Sequence, residues 1–241
     1  MMTTLLLRLA GPMQSWGTQS RFSIRDTGRE PSKSGVIGLL CAALGRPRAE
    51  PVADLAALIL GVRVDREGSL LVDYQTAGGA HRRGDTYGVA RADGSKGGTV
   101  LSNRYYLADA DFLVGLMATT AEQVALLGEL DRALAVPVWQ LALGRKAFVP
   151  GVPPRLPDNA PLGPGLREGE LLDVLRAYPW QDARGETLPE RVRFVLDAEP
   201  GSTADVRADV PLSFVSSARR FTTRVVRTDY WGHLHEGGID G

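Results

Sequence analysis

Apolar and polar positions divide residues 1–149 into alternating strands and helices. Strands are predicted where short apolar runs end at glycine, proline or polar turns, and helices where apolar residues recur every three or four positions. The predicted strands are 4–10, 21–25, 62–65, 70–75, 100–107, 111–118 and 138–141, and the predicted helices are 32–45, 52–60 and 122–134. We expect 62–65 and 70–75 to form a hairpin across the turn at 67–68. The main order, β-α-β-β-α-β, is typical of a ferredoxin-like α+β domain.

The helix predicted over 32–45 has the clearest boundaries in the chain. Ser32 or Ser34 can cap its first N–H groups, and Gly45 ends it. Its first turn places Lys33, Ser34 and Gly35 beside unpaired N–H donors, a combination that favours a bound anion. The other interpretation is an ordinary capped core helix with a solvated lysine. Residues 28–34 lack the glycine and lysine positions of an ATP-binding phosphate loop, which excludes that class.

A proline-rich stretch is the best candidate for a domain boundary. Prolines occur at 150, 153, 154, 157, 161 and 164. We therefore predict a ferredoxin-like domain over 1–149 and a small C-terminal β-rich region over 150–241. Within the second region, a short helix is predicted near 170–176 and strands at 191–197 and 222–228.

A glycine- and arginine-rich insertion separates two predicted strands at about 77–104. It carries His81, Arg82, Arg83 and Arg104. A long insertion between strands is usually functional or disordered. We therefore weigh an extended arm that wraps around a phosphate backbone against a flexible surface loop.

Charge is balanced overall, with 28 basic and 28 acidic residues, but it is unevenly distributed. Residues 1–50 hold seven basic and three acidic residues, which suits a nucleic-acid-binding face. The single cysteine, Cys41, and the lack of a membrane-spanning apolar run favour the cytoplasm. His233 and His235 lack further metal ligands nearby, so no metal or cofactor is expected. Metal-independent RNA cleavage using His81 stays open.

Four segments resemble the CasD family, subunits of the type I-E CRISPR surveillance complex Cascade. They are residues 6–17 (LLRLAGPMQSWG), 25–27 (RDT), 31–35 (PSKSG) and 143–146 (LGRK). The resemblance implies a modified ferredoxin-like domain with a β-hairpin "thumb" at 77–104. It also implies a non-catalytic subunit that caps the complex at the 5′ handle of the CRISPR RNA. The implied neighbours are the large subunit CasA and the backbone subunit CasC, with target DNA reached only through the complex and no membrane.

Motif position and residue chemistry indicate which residues bind RNA. A related type I-C branch, which cleaves its own precursor RNA, supplies the alternative of an endoribonuclease. The expected RNA-binding residues are Gln14, Ser15 and Trp16 at a base, Arg25, Lys33, Ser34 and Gly35 at phosphates, Arg82, Arg83 and Arg104 on the thumb, and Gly144, Arg145 and Lys146 opposite. Trp16 could instead cap the core, which is the commoner place for a tryptophan.

Overall fold

A computed structural model describes residues 2–19, 23–78, 89, 98–160, 163–180, 189–199 and 204–232. Within these residues the helices are α1 (Lys33–Leu44), α2 (Ala53–Ala56), α3 (Ala121–Ala135) and α4 (Leu171–Ala177). The strands are β1 (Thr3–Ala10), β2 (Met13–Gln14), β3 (Ile24–Arg25), β4 (Ile59–Arg66), β5 (Ser69–Gly78), β6 (Thr99–Ala108), β7 (Asp111–Ala118), β8 (Leu166–Glu168), β9 (Arg191–Asp197), β10 (Asp205–Ser213) and β11 (Arg220–Gly232). The fold is therefore mixed α and β, with mostly antiparallel strands.

Seven strands form the main sheet in the order β10-β11-β9-β4-β7-β1-β8, and every neighbouring pair is antiparallel. Successive side chains of β1 point to opposite faces. Leu5 and Leu7 join the core under α1 and α3, whereas Leu6 joins a second core under α4. Because both faces are covered, β1 and β7 read as continuous apolar runs rather than as an alternating pattern.

The capping residues of α1 act as the sequence predicts. The Ser32 side chain accepts a hydrogen bond from the Gly35 N–H at 3.3 Å, and Gly45 ends the helix with φ 69°. Helix α3 begins in the same way, because the Thr120 side chain accepts from the Gln123 N–H. The helix predicted over 52–60 is shorter than expected, since the chain enters β4 at Ile59.

The hairpin predicted between 62–65 and 70–75 is wrong. The turn at 67–68 leads the chain out of the main sheet, and β5 pairs with β6 in a second, smaller sheet. The β5–β6 register runs from Ser69 opposite Ala108 to Gly78 opposite Thr99. These two strands form an arm that flanks the thumb predicted at 77–104, and most of that range lies outside the described residues.

The strand predicted at 138–141 is also absent. The Val138 and Trp139 N–H groups donate to the Ala43 and Ala42 carbonyls, so this segment caps the end of α1 instead of joining a sheet. The strand beside β1 is β8, which pairs Leu5 with Leu166 after the proline-rich segment. That segment runs along β1 first, because the Arg8 N–H donates to the Pro154 carbonyl at 2.9 Å.

The C-terminal strands continue the main sheet. Strand β9 pairs with β4 from the first half of the chain, with Gly61 opposite Leu196. The predicted helix near 170–176 and the strand at 191–197 are confirmed, and the strand predicted at 222–228 is part of the longer β11. Strand β10 was not predicted. Within the described part of the chain, no helix has the length and apolar character needed to cross a membrane.

Candidate nucleic-acid interface

Three arginines from separate segments lie close together where β3 pairs with the middle of β6 in the β5–β6 arm. The short parallel pairing of β3 with β6 sets Arg25 opposite Arg104. The Arg145 guanidinium donates to the Arg25 carbonyl at 3.2 Å and lies 5.5 Å from the centre of the Phe148 ring. We call this group, Arg25, Arg104 and Arg145, the arginine cluster.

Electrostatics within the arginine cluster favour an incoming anion. Burial, together with the neighbouring Arg104 and Arg25 charges, holds the pKa of Arg145 below its usual range, while Asp26 and Asp73 act in the opposite direction. An arginine remains protonated at neutral pH despite such a shift. Among the described residues, none of the three guanidiniums forms a salt bridge. The like charges therefore repel each other, and a phosphate placed between them would relieve that repulsion.

The loop that carries Arg145 requires glycine at position 144. Gly144 has φ 87°, and a Cβ there would lie 1.7 Å from the Ser15 carbonyl oxygen. The Phe148 N–H donates to the Arg145 carbonyl at 2.8 Å and closes a tight turn. Lys146 is exposed in this turn. Gly144 therefore has a conformational role that allows the turn to present Arg145 and Lys146.

The predicted anion site at the start of α1 is wrong, because the chain's own carboxylates occupy it. Lys33 is only 6% exposed, and its ammonium donates to Asp197 at 3.0 Å. The Lys33 N–H, one of the unpaired donors of the first turn, donates to Asp209 at 2.8 Å. Arg224 donates to both carboxylates. These four residues, Lys33, Asp197, Asp209 and Arg224, form the ionic network.

Burial alone would raise the pKa of Asp209, but hydrogen bonding and charge from Arg224, with the Lys33 N–H, hold it below its usual range. Asp209 is thus ionised at neutral pH and fills the place that a bound phosphate would take. Ser34 is half-buried, and its hydroxyl lies 3.5 Å from the Ser32 hydroxyl. Gly35 has a packing role, since a Cβ there would lie 2.7 Å from the Trp16 ring.

The predicted base-reading residues are structural in this conformation. Trp16 is 1% exposed, and its indole N–H donates to the Gln14 side-chain oxygen at 3.1 Å. The Gln14 amide donates in turn to the carbonyls of Leu9 and Ala110. Ser15 is buried beside the Tyr105 carbonyl. A buried ring cannot stack on a base, so the role proposed for Trp16 is corrected to core packing.

Of the remaining predicted RNA-binding residues, one is described by the structure and two are not. Arg104 is half-buried and donates to the Ser102 hydroxyl at 3.1 Å. Arg82 and Arg83, with the candidate catalytic His81, lie outside the described residues. Among the residues that are described, no group of three possible metal ligands occurs.

Sequence reasoning missed two features of the site. Phe148, whose ring lies against Arg145, follows the recognised segment by two residues and carried no separate signal. The acidic partners of Lys33 are 164 and 176 residues away along the chain. Neither spacing nor composition links residues that are so far apart.

Comparison with known proteins gives four consistent findings. A family model described as CRISPR-associated protein (Cas_Cas5) matches residues 4–227. The CRISPR system Cascade subunit CasD of Escherichia coli (strain K12) is 37% identical over 159 residues, which is 61% of this chain and 67% of that protein. A crystal structure of a Cas protein is 44% identical with a TM-score of 0.71, covering 95% of each chain. A chain of a CRISPR RNA-guided surveillance complex is 38% identical with a TM-score of 0.74, covering 95% of this chain and 90% of that one.

Proposed function

Since this chain belongs to the CRISPR-associated Cas5 protein family, we propose that it binds the 5′ handle of the CRISPR RNA in a Cascade-type complex. The similarity to a Cascade subunit and to a chain of an RNA-guided surveillance complex supports this role. In that role the chain caps one end of the complex beside the large subunit CasA and a CasC backbone subunit. It reaches target DNA only through the assembled complex.

The observation that carries the proposal is the arginine cluster. Arg25, Arg104 and Arg145 come from three segments and meet beside the arm. Guanidinium groups bind phosphate oxygens with paired hydrogen bonds. A single-stranded handle is recognised through phosphate contacts and splayed bases, which an open surface of this kind accommodates. Lys146, exposed one residue after Arg145, adds a further cation.

The strand order supports a ferredoxin-like core within the larger sheet. Strands β8-β1-β7-β4 are consecutive and antiparallel, α1 lies between β1 and β4 in the chain, and α3 lies between β7 and β8. We propose that these elements form a β-α-β-β-α-β unit in which the fourth strand is β8 rather than residues 138–141. We propose further that the unit is a binding platform and not an endoribonuclease.

Binding of labelled handle RNA to the full chain tests the proposal. Arg25→Gln combined with Arg145→Gln should weaken binding at least about tenfold, because each charged contact contributes roughly 1.5–3 kcal/mol. The slope of log affinity against log salt should become shallower by about 1.4 for two lost contacts to a single strand. Arg219→Gln with Arg220→Gln is the matched control, since both side chains are exposed on another part of the chain.

Equal binding by the Arg25 and Arg145 variant and by the control would contradict the proposed site. Equal binding of handle RNA and a scrambled RNA would contradict handle recognition. The non-catalytic role is tested separately by incubating the full chain with repeat RNA in EDTA. Specific cleavage that is lost in His81→Ala would show that the chain is an endoribonuclease.

A further inference from the structure

A polar cleft of about 480 Å³ lies on the side of the main sheet that carries α1. It is open to solvent and is lined by the segment before α1, the turn between β4 and β5, and strands β9, β10 and β11. Its lining residues are Arg29, Glu30, Glu67, Arg193, Arg207, Thr228 and Tyr230. We call it the Tyr230 cleft. It shares no lining residue with the arginine cluster.

Two carboxylates hold the inner arginines of the Tyr230 cleft in place. Glu30 is 4% exposed and accepts hydrogen bonds from Arg193 and Arg207. Arg193 also donates to both oxygens of Glu67, at 2.7 and 2.8 Å. Such charge-assisted pairs fix the guanidinium orientations before any ligand arrives. The inner part of the cleft is thus preorganised, with its own charges nearly balanced.

Additional positive charge lies at the rim. Arg29 and Arg191 are exposed there, on the segment before α1 and on β9 respectively. Counting these two with Arg193 and Arg207, the group has two more positive charges than the two glutamates neutralise. This excess favours an anionic ligand, and the buried carboxylates restrict where its charge can sit.

Tyr230 supplies an aromatic surface beside these charges. It is opposite Arg193 in the β11–β9 ladder, so both side chains project from the same face of the sheet. Its side chain is 54% exposed, and the Arg191 guanidinium lies 5.1 Å from the ring centre. An exposed ring held next to arginines is the arrangement on which proteins stack single-stranded bases.

We propose that the Tyr230 cleft binds one nucleotide of a single-stranded nucleic acid. The base stacks on Tyr230, and its phosphate pairs with Arg29 and the accessible part of Arg207. The cleft volume lies within the range of about 300–1,000 Å³ that is usual for small-ligand sites. This contact is separate from the handle proposal, because none of its residues belongs to the arginine cluster.

Photo-cross-linking of the full chain tests this assignment. Single-stranded RNA containing 4-thiouridine and single-stranded DNA containing 4-thiothymidine are irradiated with the chain, and cross-linked peptides are mapped. We expect a cross-link within 219–232 whose yield falls at least fivefold in Tyr230→Ala and is retained in Tyr230→Phe. Arg29→Gln should reduce the salt dependence of binding by about 0.7 in slope. A cross-link to either the RNA or the DNA supports the proposal, and the higher yield of the two identifies which nucleic acid the cleft binds.

Two controls separate this site from the arginine cluster. Arg25→Gln with Arg145→Gln should leave the cross-link at Tyr230 in place, so loss of the handle site alone does not affect this test. Arg219→Gln should change nothing, because that arginine is exposed outside the cleft. The proposal is overturned if neither strand cross-links to 219–232, if Tyr230→Ala leaves the yield unchanged, or if an acidic peptide displaces the nucleic acid selectively from this site.

Discussion

Lys33 at the start of α1 and Arg145 in the loop after α3 are both cations that directly follow a small residue, Ser32 and Gly144 respectively. Lys33 is buried with Asp197 and adjoins a second carboxylate, Asp209. Arg145 lies instead against a ring and a carbonyl, and the charges of two arginines and of Asp26 and Asp73 act on it without a salt bridge. The first region uses its positive charge to join distant parts of the chain. Among the described residues, no salt bridge holds the guanidinium of Arg145, so a cation that the sequence marks as a candidate can end in either kind of environment.

The largest expected effect is at the ionic network. Arg224→Met removes the cation that contacts both Asp197 and Asp209 and leaves buried carboxylates undercompensated. We expect the free energy of unfolding to fall by about 3 kcal/mol or more, measured by urea denaturation. Arg220→Met, on the same strand but exposed, should change it by less than about 0.5 kcal/mol. Equal stability of the two variants would contradict the structural role of the network.

The pH dependence of stability sharpens the same contrast. Because the pKa of folded Asp209 is below its usual range, its contribution is present above the unfolded pKa and is lost as pH falls through the folded value. Asp209→Asn should therefore lower the free energy of unfolding by about 2 kcal/mol at pH 7. The deficit should shrink as pH falls below about 4. Urea titrations across this range would detect it, and a pH-independent deficit would argue against an ionised Asp209.

A comparison of one substitution in each region is the next test. Arg145→Gln should weaken binding of handle RNA by about tenfold, or 1.4 kcal/mol, with little change in unfolding free energy. Lys33→Gln should show the reverse, with lower stability and affinity within about twofold of the parent chain, since its ammonium is held by Asp197. Fluorescence anisotropy below the unfolding temperature measures the affinities. Weaker binding in Lys33→Gln alone would restore the anion-site interpretation of α1.

The smallest effect concerns two glycines of α1. A Cβ at Gly38 would meet no atom within 4 Å, so Gly38→Ala should stabilise the chain by about 0.5–1 kcal/mol through higher helix propensity. A Cβ at Gly35 would meet the Trp16 ring at 2.7 Å, so Gly35→Ala should destabilise it. Thermal unfolding of both variants shows whether each substitution raises or lowers the stability of the chain. If Gly35→Ala is the more stable, the packing of Trp16 against α1 is wrong.

Local signals explain which elements were predictable. Helix α1 has readable residues at both ends, Ser32 and Gly45, and β7 is bounded by polar residues. The segment 138–141 has a strand-like composition, but its N–H groups meet the carbonyls at the end of α1. Strand β8 is only three residues long, and its existence depends on the edge of β1 being open. Tertiary contacts determine the conformation of both segment 138–141 and β8, and no local sequence pattern predicts those contacts.

The candidate site, like the fold, was predictable only in part from the sequence. The segments around Arg25 and Arg145 were recognised as functional, and the structure brings them together. Trp16 was assigned to a base although the core is the commoner place for a tryptophan, and the structure places it in the core. The anion-site prediction for Lys33 was wrong because its carboxylate partners come from distant strands, β9 and β10.

The pairing of β4 with β9 has a consequence for synthesis on the ribosome. Gly61 meets Leu196, so the chain between these two residues must be translated before this edge of β4 is covered. Until then the nascent chain exposes an unpaired strand to other molecules. Such long-range pairing slows folding, and a polypeptide that stops short of β9 leaves this edge open to aggregation. Chaperone demand should therefore be highest between the synthesis of β4 and that of β9.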